Sequence, residues 1–148
     1  MIINEFLPLL AAEGLDIGRL ALLGWSMGGF GALHLASLLG PGRVSAVGAM
    51  SAALWTEYAA ATPVAFDSAE DFSRDTPLGK QAALDGIPVR IDCGRGDEFI
   101  GANHVYVSGF DAAPAGDFEL GDHDLGYWRR VFAPQLTFAA RALAQPNT

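Results

Sequence analysis

Gly24-Trp25-Ser26-Met27-Gly28 sets a serine between two glycines, directly after an apolar run and directly before a stretch that reads as a helix. That pattern is a nucleophile elbow, a sharp strand-to-helix turn that holds a hydroxyl clear of the sheet for attack on an acyl carbon. Gly24 and Gly28 are expected to be steric requirements, because neighbouring backbone comes too close for side chains, while strain in the turn lifts the hydroxyl. The N–H of Met27, at the start of the new helix, is placed to stabilise an oxyanion. In a chain with 18 glycines the bare spacing says little; its place between strand and helix carries the reading. A phosphate cradle is not indicated, since no Gly-Lys-Ser/Thr follows and Gly28-Gly29-Phe30-Gly31 lacks dinucleotide spacing.

A serine hydroxyl needs a base, and the base needs an orienting carboxylate. The chain has three histidines. His34 follows Ser26 by eight residues in the same helix, about two turns away, and cannot reach back. His104 is expected on a surface helix and is the alternative base. His123, in Gly121-Asp122-His123-Asp124, lies in the loop after the last strand, on the sheet edge where the elbow opens. For the acid, Asp97 follows the third strand in Cys93-Gly94-Arg95-Gly96-Asp97-Glu98, with Glu98 as fallback. Asp92 belongs within that strand, and Asp122 and Asp124 are too near His123 in sequence to orient it. The order is Ser26, Asp97, His123. Arg95-Gly96-Asp97 also spells an adhesion tripeptide, read here as coincidence.

The elements that must position these groups follow from periodicity and breakers. Residues 2–13 read as an amphipathic helix that Pro8 kinks or restarts. Residues 19–24 form a strand buried on both faces, 27–39 a helix stopped by Gly40-Pro41, and 44–50 a second buried strand. Residues 51–86 mix Trp55, Tyr58, Phe66 and Phe72 with acidic residues and prolines, an irregular, lid-like excursion. Its aromatics are read as core and lid packing rather than an acyl pocket. A third strand runs over 88–93, a helix over 100–110, a fourth strand over 118–120, and a last helix over 127–143. Alternation of strands and helices predicts an α/β fold with a parallel sheet covered on both faces.

Composition narrows the function classes. Of 148 residues, 51% are hydrophobic and 18% charged, which marks a globular domain. The net charge of -8 repels phosphate backbones and anionic bilayers, so nucleic acid is not an expected partner. Cys93 is the lone cysteine, which rules out an internal disulfide. No apolar run approaches the ~20 residues of a membrane span, and the first residues lack the basic region of a signal peptide. As written the chain reads as cytoplasmic, with export open to a parent carrying an upstream signal.

These residues resemble the esterase branch of the α/β-hydrolases, the group that includes esterase D (S-formylglutathione hydrolase) and the mycolyltransferases. The likeness is carried by Gly24 to Leu33 (GWSMGGFGAL), by the Cys93 to Phe99 loop, and by His123-Asp124 followed by Tyr127-Trp128. It implies Ser26 as nucleophile, Asp97 as acid, His123 as base and Met27 N–H as one oxyanion donor, without metal or organic cofactor. Such enzymes carry several strands and the other oxyanion donor before the elbow, whereas one helix precedes it here. The expectation is therefore the C-terminal half of an α/β-hydrolase fold: about four mainly parallel strands with helices on both faces, in one partial domain over 1–148. Its serine strand would have a bare outer edge, open to self-association.

The function expected is cleavage or transfer of an acyl group from a small-molecule carboxylic ester through an acyl-serine intermediate. Two alternatives stay open: a catalytically silent truncated fragment or interaction module, and a hydrolase of thioesters.

Overall fold

The computed structural model describes residues 1–145. Four strands, β1 (Leu20–Trp25), β2 (Val44–Met50), β3 (Val89–Gly94) and β4 (Phe118–Glu119), form one sheet in the order β1-β2-β3-β4. All neighbours are parallel, with Leu22 beside Val47, Met50 beside Asp92, and Cys93 beside Phe118. Because the chain order is also the sheet order, β2 is flanked on both sides and almost wholly buried, while β1 lies at an edge and is mostly half-buried. The expectation that β1 is buried on both faces is corrected accordingly; its last residue, Trp25, is 48% exposed.

Side-chain alternation sorts the sheet into two faces. Val47, Ala49, Val89 and Ile91 join Phe30, Leu33 and Ala36 of α2 (Met27–Leu39) and Tyr106 of α4 (Ile100–Ser108) in the main core. Leu33 is fully buried there, worth roughly 1.5–3 kcal/mol. On the other face Met50 packs against Tyr127 and Val131 of α5 (Leu125–Ala144). A side chain at Gly48 would collide with Gln135 of α5, so the glycine lets this helix lie close on the sheet.

Most element bounds fall where hydrophobic period and breakers put them, and the departures have local causes. Residues 2–13 split into a π-helical turn at Ile2–Phe6 that runs directly into α1 (Leu7–Ala12); the change of helix type falls beside Pro8, which has no N–H to continue the ladder. The helix α5 begins at Leu125 rather than 127, because the Asp124 carboxylate accepts from Tyr127 N at 2.8 Å and caps it. The helix α4 stops at Ser108, short of 110, ahead of Gly109. The fourth strand is two residues long, not three. Between β2 and β3 lie short helical pieces, of which α3 (Ala69–Asp75) is capped by Ser68.

Candidate active site

Three strands deliver three side chains to one sheet edge, since parallel strands open their C-terminal loops on the same side. At the end of β1, Ser26 adopts φ 53 and ψ -125, a strained conformation for a residue with a side chain. Backbone contacts hold it: Ser26 N donates to Met50 O at 3.0 Å, and Ser26 O accepts from Phe30 N at 3.1 Å and Ala53 N at 3.0 Å. A side chain at Gly24 would run into the Gly28 carbonyl, so the first glycine is required. Gly28 is not required in that way. A side chain there meets open space, whereas one at Gly29 would press on Ala52 at 3.1 Å. The steric demand thus falls one residue later than the motif suggests, because Gly28 contributes its backbone to the close contact.

Asp97, in the loop after β3, is 2% exposed. Its Oδ1 accepts from Phe99 N at 2.8 Å and its Oδ2 lies 2.9 Å from His123 Nδ1. His123, in the loop after β4, faces Ser26 Oγ with Nε2 at 2.9 Å. A carboxylate only accepts, so Nδ1 carries the proton of the neutral ring, and Nε2 is left to accept from the Ser26 hydroxyl. The ring is fixed edge-to-face by Phe99 at 5.2 Å and Trp128 at 4.9 Å. Met27 opens α2, so its N–H has no helical carbonyl four residues back to bond.

The structure brings Ser26, Asp97 and His123 together and leaves the other candidates elsewhere. His34 stacks on Phe30, and His104 packs edge-on against Phe118 at 4.2 Å. Glu98 is exposed, Asp124 caps α5, and Asp92 pairs with Arg90. Burial of Asp97, with Arg95 donating to Phe118 O at 2.7 Å, leaves the adhesion tripeptide unfit as an exposed motif. The aromatic stretch packs edge-to-face, Trp55 on Phe66 at 5.9 Å and on Phe99 at 5.5 Å, which backs the ring against His123.

Cys93 is fully buried near the end of β3. Burial first, and then the charge on Asp97, push its thiol up to about 12. Burial likewise raises the Tyr106 and Tyr127 phenols. Among the described residues, no three His, Cys, Asp or Glu side chains gather to hold a metal.

Two features had little sequence signal. Ser51, at the end of β2, has φ 49 and is fully buried. Asn103 and Gln135, buried amides on α4 and α5, bond across elements. A polar residue in a helix reads as solvent-facing unless its apolar neighbours on the same stripe are weighed.

The fold is that of an α/β-hydrolase, with a serine at the turn after β1. The chain belongs to the Putative esterase family, whose model matches residues 1–139. Among solved structures, a ferulic acid esterase superposes with a TM-score of 0.78 at 23% identity, over 97% of this chain and 60% of its own. The fluorophosphonate-binding serine hydrolase FphF of Staphylococcus aureus gives 0.69 at 20% identity, over 95% and 62%. An S-formylglutathione hydrolase from Agrobacterium tumefaciens gives 0.66 at 20%, over 97% and 56%. At these identities the likeness is one of fold, and the chain spans about three fifths of the length of these proteins. Comparison with curated proteins gives no match. No described helix is long and apolar enough to cross a membrane.

Proposed function

We propose that this chain carries the nucleophile, base and acid of a serine hydrolase that acts on small-molecule carboxylic esters. The observation that carries the reading is the unbroken line from Ser26 Oγ through His123 to Asp97, with both links at 2.9 Å. In this scheme His123 Nε2 takes the hydroxyl proton as Ser26 Oγ bonds to the ester carbonyl carbon. The oxyanion turns to Met27 N–H. Collapse breaks the bond to the alcohol oxygen, which leaves with the proton from His123, and an acyl-serine remains. Water, deprotonated by the same nitrogen, then releases the acid and restores the serine. Asp97 stays ionised throughout and holds the imidazolium.

Hydrolysis of an activated aryl ester tests this. Ser26→Ala is expected to fall to the buffer rate while its thermal unfolding matches the parent; retained turnover would remove the assignment. A thiol leaving group fits the same acyl-serine path, and the ratio of thioester to oxygen-ester turnover separates the two.

Self-association is the partner reading that the uncovered edge supports. The accessible surface is 8199 Å², against roughly 7,200 Å² for a folded monomer of this mass. The excess is near the ~800 Å² that one partner contributes to a standard interface. β1 has no strand on its outer side, and α5 shows Leu125, Phe132, Leu136 and Leu143, all more than a third exposed. A second copy is the proposed occupant, by pairing of the uncharged β1 edges. Sedimentation should show a dimer that Phe132→Glu with Leu136→Glu dissociates; a parent that stays monomeric at high concentration contradicts it, and leaves the silent interaction module without support.

A further inference from the structure

Asn103 is fully buried on α4 and takes no part in the proton path. Its Nδ2 donates to Ala52 O at 2.8 Å and to Phe99 O at 3.0 Å. Each carbonyl belongs to a segment that holds one end of the site. The peptide joining Ala52 to Ala53 also donates its N–H to Ser26 O at 3.0 Å. Phe99 also donates its N–H to Asp97 Oδ1 at 2.8 Å, and its ring rests on His123. The hydrogen bonds therefore close a circuit. It runs from the Ser26 carbonyl through the Ala52–Ala53 peptide, Asn103, Phe99, Asp97 and His123, and returns to the Ser26 hydroxyl.

We propose that Asn103 is a positioning residue: it braces the nucleophile turn against the acid loop and so sets the separation that the Ser26, His123 and Asp97 line must span. This rests on the acyl-serine reading above. Stability alone does not call for an asparagine here. Both carbonyls already have backbone partners, Ala52 O from Leu54 N at 2.8 Å and Phe99 O from Asn103 N at 2.9 Å. Asn103 Oδ1 meanwhile is buried with no partner. A leucine of similar size would fill the same space without stranding a polar atom. What it could not do is tie the two segments to each other, and ångström errors between reacting groups are costly in rate.

The test compares the chain with Asn103→Leu and with Asn103→Asp, which keeps the shape and loses the donors. Three readings are taken: the second-order rate of fluorophosphonate labelling at Ser26, the melting temperature, and the solvent exchange of the downfield His123 Nδ1 proton by NMR. Labelling is expected to slow by about tenfold to a hundredfold in both variants. The Nδ1 proton should exchange faster, with little change in the melting temperature of Asn103→Leu. A leucine variant that labels at the parental rate and keeps its Nδ1 proton equally protected overturns the proposal. A parent that fails to label counts against the hydrolase reading instead, while the Nδ1 proton, which needs no reaction, still decides on Asn103.

Discussion

Asp92 and Asp97 stand five residues apart on β3 and its following loop, 1% and 2% exposed, and their surroundings differ in kind. Asp92 is surrounded by donors. Arg90 Nε and Nη2 reach it at 2.7 and 2.9 Å, Gln135 Nε2 at 2.7 Å and Asp117 N at 3.0 Å. Its charge is met by a permanent cation, and the cluster ties β3 to α5 and to the segment entering β4. Asp97 receives Phe99 N and His123 Nδ1, so among the described residues the one hydrogen-bonded partner able to become a cation is the imidazole. Burial is the same; the partner decides. A carboxylate closed by guanidinium is a joint, whereas one facing a neutral histidine strengthens its hold only when that histidine takes a proton.

The sharpest way to break this contrast is to neutralise each carboxylate in turn. Asp97→Asn should slow labelling of Ser26 by about 10⁴-fold, through loss of the tautomer that leaves Nε2 unprotonated, with the fold kept. Asp92→Asn should leave the labelling of folded molecules within about tenfold and show its effect in the melt. Equal losses of labelling in the two variants would erase the distinction. Next in size is Arg90→Met, which strands a buried charge and should cost about 3–5 kcal/mol in urea unfolding. Gln135→Leu removes one of four donors and should cost about 1–3 kcal/mol by the same measurement.

The mildest effect concerns Cys93, which lies between the two carboxylates. Its thiol is raised from 9.0 to about 12, so the unfolded chain gives up that proton first. Stability from this group is whole below pH 9 and declines as pH climbs from there toward 12. Unfolding measured between pH 8 and 10 should show the decline in the parent and lose it in Cys93→Ala. In Asp97→Asn it should weaken, because the Asp97 charge is the second cause of the shift.

What was legible in the sequence follows from what is local. The strand, glycine, serine and helix of the elbow are contiguous, and the order of Asp97 and His123 needed only the rule that parallel strands open their loops on one side. The partners of Asp92 were not legible in that way. Arg90 and Asp92 share a face because they are two apart in a strand, but Gln135 arrives from 43 residues further on. Asn103 was hidden for the same reason, as it meets Ala52 across 51 residues. The role given to Gly28 moved to Gly29 because a motif records spacing and not which backbone atoms touch. Asp124, three residues before Tyr127, carried a readable capping signal for the start of α5.

The most direct test of the site is intact-mass detection of fluorophosphonate on this chain and on Ser26→Ala at matched concentration. One label per chain, lost in the variant, is the predicted result: it would mean that His123 and Asp97 activate Ser26. A folded chain that takes no label, or a Ser26→Ala variant that labels equally, would contradict it.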